Sequence, residues 1–448
     1  MNLAVRRKCA ESGPTVPAAR GPATRRPRLA YVVNLFPNLI ETMIFREVEE
    51  LRALGFEIHT FSLREPDSAL VPPEARRLAG TTSYILPMPF WRLALRQLSA
   101  MLRRPIRYWS TLLVVACGTH DGLRSRLRTM AHAVQGFAML PDVEALNVDH
   151  LHAHWATGAT TCALVLSRFL DRSFSFTAHA YDIWRERLAL PQKLRNARFV
   201  VTCTRHNAEH LAATYRVERD KIQTVHHGTD VERFAPATRE ERPVPTVIAV
   251  GRLVEQKGLD RLLVACGRLA KQGVAFRCLV VGDGPLRTSL EAVARDVGIA
   301  DRVEFRGQVF QDELVRLYGV ADVFALFCQP ASDDDRDGIP NVMIEAMATG
   351  LPVVSTRFSG IPELVIDGET GLLADVDDEE GHAAALRRAL TDQALRTRLG
   401  RAARQKVERE FTVAASVATL ARLFDTVPVC GGATVGSGAP RRRLPLRA

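Results

Sequence analysis

The sequence predicts an α/β chain built from two doubly wound domains, and three observations carry that expectation. Short apolar runs suited to buried parallel strands alternate with stretches of helical periodicity. The length, 448 residues, is too great for one simple domain and fits two domains of about 200 residues each. Residues 236–245 hold three prolines and several charges, a linker composition between the two halves.

Residues 29–36 are an apolar run that predicts a buried strand. Residues 41–54 predict a helix with Ile44, Val48 and Leu51 on one face, stopped by Gly55. Residues 57–63 alternate as a second strand, which completes a βαβ beginning. In the second half, strand 246–250 leads through Gly251-Arg252 into helix 259–269. Strand 277–281 leads through Gly282-Asp283-Gly284-Pro285 into helix 286–297. Segments 303–306, 312–318, 323–327, 342–349 and 352–355 continue the alternation. The expected organisation is a basic tail at 1–28, a first Rossmann-like domain at 29–227 and a linker at 228–245. A second Rossmann-like domain follows at 246–411, then a closing helix at 412–427 and a basic tail at 428–448. Both tails are expected to be disordered. Two such domains in tandem put strand carboxyl ends at the cleft between them, where open α/β sheets bind ligands.

The formal net charge of +10 invites a nucleic-acid reading until it is located. Residues 1–28 carry seven basic residues and one acid, and residues 441–448 carry four arginines, so the body between them is neutral. No nucleic-acid partner is expected. The eight cysteines show no CxxC pair or metal-ligand spacing and read as reduced, mostly buried thiols of a cytoplasmic protein. No secretory signal and no run of 18 uncharged apolar residues is present, so no membrane span is expected. One local patch stands out. Residues 90–116 hold five arginines, no acid, and Trp91, Leu95, Leu98, Leu102, Trp109 and Leu112. Two readings fit it: an interfacial amphipathic segment that meets an anionic membrane surface, or a packed helix with a solvated basic face.

Phosphate-binding pieces follow from the turns. Gly251-Arg252 with Lys257 sits between a strand and a helix start, where backbone N–H groups favour an anion. The guanidinium fork and the ammonium can clamp a diphosphate from two sides. Gly282 is read as a pocket wall, because a glycine lets the backbone pass close to a ligand. Asp337 and Glu345 flank a Gly338-Ile339-Pro340-Asn341 turn at a helix start. Backbone N–H groups there can face a ligand. Asp337 can accept sugar hydroxyls at the mouth, and Glu345 can accept both hydroxyls of a ribose. Glu345 stands in an otherwise apolar helix, where a lone charge is costly without a purpose. The preceding acids 333–335 read as a solvated loop.

These residues resemble the retaining GT-B glycosyltransferases of glycosyltransferase family 4. The C-terminal set is Gly251-Arg252 with Lys257, Gly282-Asp283-Gly284-Pro285, Asp337-Gly338, Glu345-Ala346-Met347 and Gly350-Leu351-Pro352-Val353-Val354. The family pairs Glu with Glu across seven residues; here the first member is Asp337. The N-terminal half is similar to a bacterial exopolysaccharide branch of colanic-acid type. It carries Asn34-Leu35-Phe36-Pro37, Glu41-Thr42, His152-Ala153-His154-Trp155 and the segment from Ser175 through His179 to Ile183. Ile40 departs from that branch, which has Ser before Glu-Thr.

The resemblance implies GT-B architecture, two Rossmann-like domains facing across a cleft. It implies transfer of a hexose from a UDP- or GDP-sugar to a saccharide or lipid-linked acceptor, with retention of configuration, in extracellular polysaccharide or glycolipid biosynthesis. Arg252 and Lys257 would take the diphosphate, Glu345 the ribose, and Asp337 with the 338–341 backbone the sugar. His179 would face the anomeric centre, so His179 and Asp337 are the catalytic candidates. Glu41 and His154 are acceptor-side candidates. No metal is expected, and the enzyme would be cytoplasmic, peripheral at the inner face of the membrane. Two other readings remain open: a nucleotide-sugar epimerase on the same fold, and a non-enzymatic basic scaffold or nucleic-acid binder acting through the tails.

Overall fold

The computed structural model describes residues 25–38, 42–67, 71, 75–236 and 242–430. Most of both tails, the centre of the linker, Cys9 and Glu41 lie outside the described residues.

Seven strands form the first sheet: β1 (Leu29–Leu35), β2 (Ile58–Arg64), β3 (Ser83–Leu86), β4 (His150–His154), β5 (Ser173–Ala178), β6 (Val200–Thr202) and β7 (Ile222–Thr224). They are parallel, in the order β3-β2-β1-β4-β5-β6-β7. Six more form the second sheet: β8 (Thr246–Val250), β9 (Arg277–Val281), β10 (Val303–Gly307), β11 (Val323–Leu326), β12 (Val353–Thr356) and β13 (Gly371–Ala374). Their order is β10-β9-β8-β11-β12-β13, again parallel. Strand order reverses beside β1 in one sheet and beside β8 in the other. Those two points are the crevices where doubly wound sheets take ligands.

The apolar runs became strands because both of their faces are covered. Every residue of β8 is buried, as is every residue of β11 and β12. Helix Leu259–Lys271 covers the second sheet with Leu262, Leu263, Cys266 and Leu269, the spacing of one helical stripe. Helix Val413–Asp425 starts at Thr412, whose hydroxyl accepts from the Ala415 N–H at 3.1 Å. It buries Val417, Leu420, Ala421 and Phe424 against Tyr31, Ile44 and Val48 of the first domain. The end of the chain's described part therefore straps the second domain to the first.

Residues 90–116 are two helices, Phe90–Arg103 and Pro105–Ala116. The break falls at Arg104, because the residue before a proline avoids the helical region. Part of the expected basic face is used internally. Arg96 pairs with Asp142 at 2.6 Å, Arg103 with Glu144 at 2.8 Å, and Arg104 donates to the Phe169 carbonyl at 2.7 Å. Among the described residues, no helix is long and apolar enough to cross a membrane and every cysteine is free.

Candidate active site

The first domain supplies a buried polar wall at the carboxyl end of β4 and β5. Asn34, at the end of β1, donates to the Thr157 hydroxyl and accepts from the Ala159 N–H, each at 2.9 Å. That pair fixes the start of helix Gly158–Leu170 beside the switch point. His154 ends β4 with its Nε2 3.0 Å from Glu47 Oε1. Trp155 follows with φ of 71°, an uncommon conformation for a bulky residue and a mark of a constrained site. His179 caps the five-residue helix Ala180–Trp184, and its N–H donates to Asp182 at 2.7 Å.

His179 is held neutral. Burial comes first, then His227 and His154, and together they keep its pKa well below the ordinary value. Its Nδ1 lies 3.4 Å from the Cys203 sulfur, which lies 2.9 Å from His227 Nε2. His227 Nδ1 reaches Asn341 Oδ1 at 3.0 Å, so this relay crosses from first domain to second. Three buried atoms have no partner in this cluster: His154 Nδ1, Trp155 Nε1 and His179 Nε2. Their rings adjoin, with centroids 5.9 Å (His154–His179) and 4.2 Å (Trp155–His179) apart. Buried polar groups without partners are rare, and a hydroxyl-rich ligand would satisfy them.

Beneath this wall sit a buried lysine and a buried carboxylate. Lys193 donates to the Ala156 and Thr157 carbonyls at 2.7 Å each. Asp182 accepts from the Ala156 and His179 N–H groups. Burial pulls Lys193 down to about 7 against the Asp182 carboxylate, and pushes Asp182 up to about 7 against its bonds from the Ala156 and His179 N–H groups and, after them, Lys193. The pair holds both chain segments that carry Trp155 and His179. His152, of the same motif as His154, lies within β4. It is buried and bonded to the Ser175 and Thr177 hydroxyls at 2.8 and 3.1 Å. Its role is cross-strand.

The second domain contributes two glycine turns and two cations, Arg252 and Lys257. Gly251 leaves β8 with φ of 157°, and Gly282 leaves β9 with φ of 128°. A Cβ on Gly282 would overlap the Gly251 carbonyl oxygen, so the two turns pack backbone on backbone and only glycine fits. Lys257, buried at this turn, lies 2.9 Å from Asp337 Oδ2. Burial alone would lower its pKa, but the Asp337 carboxylate outweighs that and raises it. Arg252 is exposed and has no carboxylate partner among the described residues.

Helix Asn341–Ala348 carries Glu345, with Pro340 at its N-cap and Gly338 and Ile339 half-buried before it. The closest side-chain atom to a Cβ on Gly338 would be Thr204 Cγ2 of the first domain, at 3.3 Å. Burial pushes Glu345 up to about 7, against the opposing pull of Arg46, Arg233 and its hydrogen bond with Tyr318. Arg46 belongs to helix Thr42–Ala53, so a first-domain cation faces a second-domain acid.

The acids at 333–335 correct the solvated-loop expectation in part. Asp335 is buried and accepts from Gln256 at 2.9 Å, and Asp333 pairs with Arg185 of the first domain at 2.7 Å. Arg336 lies over the Trp184 ring at 3.9 Å. A further bridge was not visible in the sequence. Glu363 accepts from the Arg205 and His206 N–H groups at 2.8 and 2.9 Å and lies 2.9 Å from His226 Nε2. A second-domain carboxylate thus caps helix Arg205–Tyr215 of the first domain.

The structure brings together His179, His154 and the His227–Asn341 contact on one side, and Gly251, Gly282, Lys257 and Asp337 on the other. Glu345 is hydrogen-bonded to Tyr318. Sequence reasoning missed Lys193, Glu363 and the part played by Arg46. Lys193 sits among Gln192, Arg195 and Asn196, so nothing local marked it.

Comparisons with known proteins agree with this fold. A family model described as glycosyl transferases group 1 matches residues 230–406. A second, described as Glycosyltransferase Family 4, matches residues 114–233. The amylovoran biosynthesis glycosyltransferase AmsK of Erwinia amylovora is 28 % identical over 417 residues, covering 89 % of this chain and 99 % of its own. WcaL of Escherichia coli (strain K12), named for colanic acid biosynthesis, is 29 % identical over 398 residues, covering 86 % and 96 %. The solved structure of Anabaena Alr3699/HepE in complex with UDP and glucose superposes with a TM-score of 0.65 at 15 % identity, covering 89 % of this chain and 100 % of that one. With two parallel doubly wound sheets, and glycosyltransferase models matched in tandem over residues 114–233 and 230–406, the chain belongs to glycosyltransferase family 4 and has the GT-B fold.

Proposed function

We propose that the chain transfers a hexosyl unit from a UDP- or GDP-sugar to a saccharide or lipid-linked acceptor, with retention of anomeric configuration, in exopolysaccharide or glycolipid biosynthesis. The observation that carries the reading is the pairing across the cleft. Unpartnered buried nitrogens of His154, Trp155 and His179 line the end of the first sheet, His227 beside them reaches Asn341 of the second domain at 3.0 Å, and the turn after β8 offers Arg252 and Lys257. The names of AmsK and WcaL support the polysaccharide setting, and the UDP and glucose bound by Alr3699/HepE support the donor class.

In this reading the donor diphosphate binds Arg252 and displaces Asp337 from Lys257. Lys257 then neutralises the leaving phosphate, and Asp337 turns to the sugar hydroxyls with the Gly338, Ile339 and Asn341 backbone. Glu345 accepts the ribose hydroxyls. The bond from the anomeric carbon to the phosphate oxygen breaks, and one from the acceptor oxygen to that carbon forms on the same face. The acceptor proton passes to the departing phosphate. His179, neutral and walled by Trp155, holds the sugar at the anomeric centre, and His154 faces the acceptor side. Side-chain cations aimed at the leaving group are worth most in a site closed to water. No separate metal is needed for that charge. Nothing among the described residues favours the epimerase or scaffold readings.

Thermal-shift titration with UDP, GDP and their sugars tests the reading. One nucleotide should raise Tm in the full chain and in a chain lacking residues 1–28 and 441–448. Loss of the shift in the shortened chain, or its persistence at full size in Glu345→Ala, would overturn the assignment. Proton NMR of the initial product gives the anomeric outcome.

A further inference from the structure

Three neighbouring helices of the first domain turn apolar stripes outward. On helix Phe90–Arg103 the exposed residues Trp91, Leu95, Leu98 and Leu102 share one face. On helix Pro105–Ala116 it is Ile106, Trp109 and Leu113, and on helix Leu123–Ala138 it is Leu123 and Leu127. The helices pack on one another, and the third packs on helix Gly158–Leu170. Exposure is large: Phe90 83 %, Ile106 84 % and Leu123 72 %. A water-facing helix normally buries such a stripe. Contiguous apolar surface of this kind marks an interaction site.

The charge around the stripes selects the partner. Residues 90–138 contain eight arginines and a single acid, Asp121. Arg96, Arg103 and Arg128 are taken by Asp142, Glu144 and Glu186. Arg92, Arg124 and Arg126 are exposed and have no carboxylate partner among the described residues. A second copy docking through the same patch would set these arginines against each other. An anionic bilayer complements both features, since its headgroups meet the arginines and its acyl boundary takes the leucines. Trp91 and Trp109 suit that boundary, being apolar bodies with a polar N–H.

We propose that the face formed by these three helices docks the enzyme on an anionic lipid bilayer. The proposal does not depend on which donor or acceptor the cleft takes. At one end of the face Asp121 lies 3.6 Å from Arg187, and Arg128 pairs with Glu186. The adjacent Arg185 crosses to Asp333 in the second domain. One end of the docked face therefore lies beside an ion pair that joins the two domains.

Flotation of the full chain with phosphatidylcholine vesicles, with and without phosphatidylglycerol, tests the docking at low and high salt. Wild type should bind the anionic vesicles about tenfold or more tightly than the neutral ones, and high salt should remove most of the difference. Trp91→Ser with Trp109→Ser should abolish flotation, and Arg92→Gln with Arg124→Gln should abolish the preference for anionic lipid. These side chains are exposed, so Tm and the far-UV spectrum should match wild type in both variants. Equal flotation on both vesicle types, or wild-type flotation by the folded variants, would overturn the proposal. A dimer in light scattering that the tryptophan variant dissociates would overturn it too, assigning the face to a second copy.

Discussion

Lys257 and Asp337 form an ion pair at 2.9 Å that joins the turn after β8 to the loop before helix Asn341–Ala348. A donor diphosphate must compete with that carboxylate for the ammonium. Removing the carboxylate and removing the ammonium should therefore act in opposite directions on nucleotide affinity. Lys257→Ala is expected to weaken nucleotide diphosphate binding by about tenfold or more, and Arg252→Ala by a similar factor. Asp337→Asn should bind the free nucleotide at least as well as wild type while losing turnover. Calorimetry with UDP and GDP beside an initial-rate assay separates the two effects. Because side chains carry the charge, EDTA should leave the rate within about twofold.

Glu345 sets a pH dependence whose sign follows from burial. Its pKa rises from 4.5 to about 7, so between those values the folded state holds a proton that the unfolded state has lost. Its favourable contribution to stability is complete below 4.5 and is lost as pH rises through about 7. Binding runs the other way, because the ionised carboxylate is the form that accepts two ribose hydroxyls. Nucleotide affinity should rise with pH through about 7, and Glu345→Gln should flatten both curves.

Gly282 is fixed by close approach. With φ of 128° and a Cβ overlapping the Gly251 carbonyl, alanine forces the two glycine turns apart. Gly282→Ala should cost about 2–4 kcal/mol in urea unfolding and lower nucleotide affinity, because Gly251 and Arg252 move with the turn.

The buried Lys193–Asp182 pair is expected to behave as a unit. Lys193→Met removes the donor to the Ala156 and Thr157 carbonyls and the cation that opposes the burial of Asp182, and should destabilise the chain by about 3–5 kcal/mol. Adding Asp182→Asn should restore part of that loss, and a double-mutant cycle on unfolding free energies reads the coupling directly.

Glu363 ties the domains together, so its removal should open the cleft. Burial alone would raise its pKa, but the bonds from His226 and the Arg205 and His206 N–H groups hold it below the usual 4.5. That contribution is present above 4.5 and lost as pH falls through the lower folded value. Glu363→Ala should increase the radius of gyration in solution scattering at neutral pH, and wild type should approach it only in acid.

The sequence by itself determined the alternation of strand and helix, the two glycine turns, and the identity of the residues placed there. Strands such as 246–250 and 277–281 were legible because a buried parallel strand is a short continuous apolar run, and helix 259–269 because its stripe repeats. Gly251, Lys257, Gly282, Asp337 and Glu345 were legible because turn chemistry and a charge in an apolar helix are local signals. The boundary at Arg104–Pro105 was encoded in the proline, but amphipathic spacing on both sides of it reads as one segment.

What only the tertiary structure decided are contacts between residues far apart in the chain. Glu363 capping a helix that begins at residue 205, Arg46 facing Glu345, and Lys193 beneath Trp155 leave no periodic trace. An ion pair or a cap needs only one residue from each side, and its energy depends on distance and burial rather than on spacing along the chain. The same reason applies to residues 90–116. Composition showed arginines and leucines together, while folding decided that carboxylates outside the segment take Arg96 and Arg103. It also decided that the apolar stripes of three helices face outward, because their opposite faces pack on one another and on helix Gly158–Leu170.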